Sequence, residues 1–285
     1  MHPFSRSSQI RSVLLCALTA LMIAGSLGIH PGSVAAATFA ARISPPNFEL
    51  NATPGEVVRQ VITISNEDSE PAHYQIRTAD WSLNASGGVI IVPADQPLSS
   101  GSCRSWTRIE RRSLKLGPNS TKRYRFEVHV PENAADGQCR FAVVIAPSPD
   151  TVDPLAFGSF KFPVAGAIAV IVYVTVGDAA PQLEFNGLSR NPSPGKPGPV
   201  LGFTNRGNAH ARPFGSMAVK DSQGTKAELI VVPFPILPGS AHNIELMVDP
   251  EISGIQSLDE LAYPLDLKGT VEWDGGSYRV TGTVP

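Results

Sequence analysis

Cysteine is scarce in this chain, three in 285 residues. That excludes the disulfide-dense scaffolds of small secreted domains, and no two of the three stand at zinc-ligand spacing. Histidine is nearly as rare, six in all, and the His-Glu-x-x-His, Cys-x-x-Cys and Gly-x-Ser-x-Gly patterns of metal-assisted and nucleophilic hydrolysis are missing. His73, His129, His210 and His242 are scattered, and Asp136, Asp178 and Asp274 stand beside glycines, where turn formation explains them without metal ligation. Gly87-Gly88 and Gly275-Gly276 precede no helical pattern and so make no phosphate cradle. No enzymatic activity, cofactor or metal is expected. An excess of basic charge is also lacking: 23 Lys+Arg against 25 Asp+Glu leave −2, which argues against nucleic acid as a partner. Helical periodicity is almost absent, and only 255–262 reads as a helix.

What is present begins with an export signal. Residues 1–37 hold Arg6 and Arg11, an apolar run from Val13 to about Ile29, and the small-residue stretch Ser33-Val-Ala-Ala-Ala37. This is the pattern of a secretory signal peptide, with a signal anchor as the alternative because the apolar run is near the lower limit of spanning length. No later run is long enough to span: 164–176 contains Gly166 and three alanines and reads as a buried strand. The expectation is a periplasmic protein with no stable transmembrane segment after cleavage, the cell surface being the alternative. Cleavage removes two basic and no acidic residues, so the mature charge is 21 − 25, or −4.

The remaining chain alternates with period two. In Lys122-Arg-Tyr-Arg-Phe-Glu-Val-His-Val130, Tyr124, Phe126, Val128 and Val130 share one strand face and Arg123, Arg125, Glu127 and His129 the other. Similar runs occur at 43–50, 57–65, 73–81, 89–92, 107–109, 114–116, 140–145 and 160–176. They recur at 200–204, 217–220, 227–232, 243–248 and in a hairpin around Asp274-Gly-Gly276. The prediction is all-β: two immunoglobulin-like sandwiches in tandem, 38–177 and 181–285, divided at Gly177-Asp-Ala-Ala-Pro181. Pro45-Pro46 suits an edge or a strand that switches sheets. Cys16 leaves with the signal, so Cys103 and Cys139 are expected to form a disulfide; a free catalytic thiol is the alternative, with no motif placing a His beside either.

Several short motifs then occur in a telling order. Ser44-Pro-Pro-Asn-Phe-Glu-Leu50, Pro54-Gly, Ile62-x-Ile64-x-Asn66, Pro71-x-x-Tyr74-x-Ile76, Asp80-Trp81, Ile91-Val-Pro93, Arg108-Ile109, Leu116-x-Pro118 and Val130-Pro131 resemble the N-terminal domain of PapD-like pilus-assembly chaperones, over roughly 42–176. Asn205-Arg-Gly-Asn208 resembles the opening of that family's second domain. The resemblance implies a non-catalytic chaperone for a pilin-like or surface-fibre subunit, working with an outer-membrane usher, that lends its last N-domain strand to an incomplete client sandwich. The lent residues would be Phe160, Phe162, Val164 and Ile168, with Val170 and Val172 on the same parity. An ordinary buried strand is the other reading, although Pro163 suits an edge. The family's client-carboxylate anchor, an Arg and a Lys, falls here on Asn47 and Val170. A replacement is sought in Arg104, Arg108, Arg111, Arg112, Arg123 and Arg125, which with Lys115 and Lys122 face only Glu110 between 103 and 126, a net of 8 − 1, or +7. Such a patch suits an anionic client edge, a carboxylate or anionic lipid, or is simply a solvated face. The alternative function is a structural or adhesive envelope protein built from the same modules.

Overall fold

The structure, a computed structural model, describes residues 40–84, 87–92, 95–99, 101–148, 155–157, 160–162, 166–192, 195 and 198–285. The expected signal peptide lies outside the described residues, as does Val164. Strands dominate the described residues, arranged as two sandwiches in tandem.

The first sandwich contains β1 (Ala41–Ser44), β2 (Asn47–Ala52), β3 (Val57–Asn66), β4 (Ala72–Leu83), β5 (Val89–Val92), β6 (Thr107–Ile109), β7 (Ser113–Leu116), β8 (Thr121–His129), β9 (Gly137–Pro147) and β12 (Ile168–Val176). One sheet runs β1-β3-β8-β6, the other β2-β12-β9-β4-β5 with β7 also on β4. A separate two-stranded hairpin is made by β10 (Leu155–Phe157) and β11 (Phe160–Phe162). Strand β8 follows its sequence pattern: Tyr124, Phe126 and Val128 are buried while Arg123 and Arg125 are exposed. Phe126 packs edge-on against Phe48 of β2 and Phe141 of β9, so residues from both sheets close one core. Between β1 and β2, Pro45 and Pro46 offer no N–H, the ladder stops, and the chain changes sheets: β1 is antiparallel to β3, and β2 parallel to β12.

The second sandwich contains β13 (Leu183–Arg190), β14 (Pro199–Asn205), β15 (Phe214–Lys220), β16 (Lys226–Val231), β17 (Ala241–Val248), β18 (Leu265–Trp273) and β19 (Gly276–Val284), hydrogen-bonded in the order β13-β14-β17-β16-β15-β18-β19. The sheet curls over until its ends meet, with the rings of Phe185 on β13 and Tyr278 on β19 4.9 Å apart. Leu201, Phe203, Met217, Ile244 and Val271 fill the enclosed core.

The two sandwiches repeat one device. Asn66, at the end of β3, donates from Nδ2 to the carbonyls of Glu70 (2.7 Å) and Gly117 (2.9 Å). Asn205, at the end of β14, donates from Nδ2 to those of Ala209 (2.8 Å) and Ile236 (2.9 Å) and accepts at Oδ1 from the N–H groups of Gln182 and Gly207. Each buried amide thereby pairs its own polar atoms with loop backbone and ties the loop to the strand end.

Two expected elements are corrected. The helix over 255–262 is a single 3₁₀ turn, Leu258–Glu260, in which Ser257 Oγ accepts from Asp259 N–H and Glu260 accepts from Ser257 N–H at 3.0 Å. Gly254 before it and Pro264 after it leave no room for more turns. The single strand over 160–176 is two, β11 and β12, because Pro163 provides no ladder N–H and Gly166 no side chain to pack; pairing with β9 begins only at Ile168.

Candidate functional site

Among the described residues, the start of β12 is paired on one edge only. Its ladder with β9 runs from Ile168↔Ile145 to Val176↔Gly137, whereas its ladder with β2 begins at Ile171↔Asn47. Strand β2 can begin no earlier because Pro45 and Pro46 precede it. Residues 168–170 therefore present one open backbone edge, and the open length directly follows 163–165 and the hairpin carrying Phe160 and Phe162. On the core side of β12, Val170, Val172, Val174 and Val176 are at most 1% exposed. They belong to the core of the first sandwich. Ile168, on the same parity, is half-buried.

The opposite face of β12 meets the second sandwich. Tyr173 packs with Trp81 (ring centroids 5.4 Å) in a cluster that Leu237 of the second sandwich closes. His210 stacks on Tyr173 at 4.1 Å. Gln138 Oε1 accepts the His210 backbone N–H at 3.0 Å and lies 2.7 Å from Nδ1, an arrangement that places the ring proton on Nδ1. His210 Nε2 stands 3.6 Å from Glu49 and Arg212 Nε 3.5 Å from the same carboxylate. Burial, helped by the Arg212 charge, holds the His210 pKa down to about 4, outweighing the opposing pull of Glu49 and Asp274. Burial also pushes the Tyr173 hydroxyl up to about 12. A cavity of about 270 Å³ opens here, with Asn47, Trp81, Ile171, Tyr173, Arg212 and Phe234 on its walls.

Of the two positions expected to carry the family's anchor, Asn47 lines this cavity, but Val170 is 0% exposed and faces the core. The neighbouring β12 residues that face the cleft are Ile171 and Tyr173. The cleft's cation comes from the second sandwich: Arg212, whose guanidinium lies 5.7 Å from the Tyr173 ring. Its partners Glu49 and Tyr173 are distant in sequence, so only the fold reveals it.

The basic patch is divided. Arg104, Arg108, Arg111 and Arg112 line one cavity together with Arg77 of β4, which lies outside the 103–126 run of basic residues. Arg123 and Arg125 project from the solvent face of β8 and are not among the lining residues. Cys103 and Cys139 are bonded, with Cα atoms 5.5 Å apart.

No family model and no curated protein matches the chain. Solved structures do. The chain is similar to the YadV chaperone (11% identity, TM-score 0.45, 86% of this chain and 99% of that one). It is also similar to the CupB2 chaperone of Pseudomonas aeruginosa (12%, TM-score 0.43, covering 83% and 97%) and to the chaperone DraB of E. coli (11%, TM-score 0.43, covering 87% and 97%).

Proposed function

We propose that this protein is a non-catalytic periplasmic chaperone that completes the sandwich of a pilin-like or other surface-fibre subunit by strand addition, before an outer-membrane usher receives the loaded subunit. The observation that carries the proposal is the one-sided ladder at Ile168–Val170. An open backbone edge is a hydrogen-bonding template, and a client with a missing strand supplies the complementary edge. Upstream, Phe160, Phe162 and Val164 alternate with Ile168, so apolar side chains of one parity fill a client groove while the backbone pairs. The cleft beside Ile171 offers Arg212 as a charge-assisted donor for a client carboxylate.

Phe162→Asp tests this with the fibre subunit isolated from the same envelope. Because β11 pairs only with β10 among the described residues, the variant is expected to keep the thermal transition of the parent chain. Burying an unpaired carboxylate in an apolar groove weakens the complex by about 100-fold or more. Unchanged affinity in a folded variant removes these residues from the mechanism and favours a structural or adhesive module.

A further inference from the structure

The outer edge of β4 is covered at one end by β7, from Ala72↔Leu116 to Gln75↔Ser113, and at the other by β5, from Asp80↔Val92 to Leu83↔Val89. Between these ladders, among the described residues, the edge is uncovered except where Ile76 N–H donates to the Arg112 carbonyl at 2.9 Å. The gap opens into a cavity of about 760 Å³, within the size range of small-molecule sites. Five arginines reach it from four segments: Arg77 from β4, Arg104 from the 3₁₀ turn Arg104–Trp106, Arg108 from β6, and Arg111 with Arg112 from the turn before β7.

The acids nearby are already engaged. Glu110 accepts the Arg125 backbone N–H at 3.1 Å and pairs with Arg111, and these contacts hold its pKa low. Asp80, 1% exposed, accepts Ser102 Oγ–H at 2.6 Å and Ser99 N–H at 3.1 Å, leaving Arg104 Nε an ion contact at 3.7 Å. Counting five arginines against Glu110 on the wall and Asp80 behind Arg104, 5 − 2, leaves +3 at the cavity. Arg77, Arg108 and Arg112 form no ion pair among the described residues. Arg104 Nη1 is buried and has no hydrogen-bond partner among them, although its side chain is only 12% exposed. A buried guanidinium donor without an acceptor is costly unless the site exists to receive one.

We infer that this cavity binds a ligand bearing two phosphate groups. A carboxylate accepts hydrogen bonds in one plane, whereas a phosphate offers oxygens in a tetrahedral array that suits guanidinium groups arriving from several directions. A phosphate group carries roughly −1.5 to −2 near neutral pH, so two of them match a site of this charge. The same chemistry occurs in a soluble diphosphate and in the two-phosphate headgroup of a cardiolipin-type phospholipid. The site lies on β4 and β6, away from the start of β12, and is independent of the chaperone proposal.

Titration of the mature chain with inorganic pyrophosphate at low ionic strength tests the site. Saturable one-to-one binding is expected, weakened at least about tenfold by Arg108→Ala/Arg112→Ala. Lys122→Ala/Arg123→Ala, which removes as much charge from outside the cavity, leaves affinity within about twofold. Co-sedimentation with cardiolipin-containing vesicles, whose headgroup carries two phosphates, that the first pair abolishes assigns the phosphates to a lipid; pyrophosphate binding without co-sedimentation assigns them to a soluble ligand. Absence of saturable pyrophosphate binding, equal loss in both pairs, or tighter binding of an acidic peptide than of pyrophosphate overturns the proposal.

Discussion

Replacing Cys103 and Cys139 together by alanine is expected to lower the unfolding free energy of the first sandwich by about 4 kcal/mol. The bond joins residues 36 apart in sequence, and closing a loop of that length removes a comparable amount of chain entropy from the unfolded state. It also fixes 101–103 alongside β9, where Cys103 N–H donates to the Arg140 carbonyl at 3.3 Å and Arg140 N–H to the Gly101 carbonyl at 2.8 Å. Cys103 is 0% exposed and belongs to the core, so truncation to alanine adds a small cavity to the entropic loss. Urea unfolding of the oxidised parent and the double variant measures the difference. A change under about 1 kcal/mol, or two alkylatable thiols in the oxidised native protein, contradicts it.

Acidification is expected to loosen the contact between the two sandwiches through His210. Folding lowers this imidazole from 6.5 to about 4, so the unfolded chain takes up the proton first. Stability is therefore full above pH 6.5 and is lost progressively as pH falls towards 4. By pH 5 the loss from this one group is about 2 kcal/mol. Carboxylates add their own acid sensitivity at lower pH, so the informative quantity is the difference between the parent and His210→Gln. The variant is less stable at pH 7.5, where the stack on Tyr173 is missing, yet declines less between pH 7.5 and 5. Parallel pH profiles for the two proteins show that the imidazole is not the titrating group.

Much of the fold was legible because strands with one wet face announce themselves. Strand β8 is read directly from its alternation, and the sheet switch from Pro45-Pro46, since a residue without an N–H ends a ladder wherever it stands. Strand β12 is different. It is covered on both faces, by the core on one side and the second sandwich on the other, so Ile168–Val176 is an almost unbroken apolar run. Alternation assigns its residues to two faces without saying which face is which. Only the fold shows that Val170 and Val172 face the core while Ile171 and Tyr173 face the second sandwich. The charged sites failed for another reason. Arg212 finds Glu49, and Arg77 joins Arg104 and Arg108, only through pairings between strands far apart in sequence, and a sequence window that gathers neighbouring arginines collects Arg123 and Arg125 instead, on the outer face of β8.

The most direct test of the central claim is amide hydrogen exchange on the free protein and on its one-to-one complex with a fibre subunit. The ladders of β12 predict slow exchange at Ile171–Val176 in both states, because those residues are flanked by β2 and β9. They predict faster exchange at Ile168–Val170 in the free protein, where only β9 pairs, and strand addition predicts stronger protection over 160–170 in the complex. Protection that develops elsewhere while 160–170 exchange at the same rate in both states would contradict strand addition at this edge.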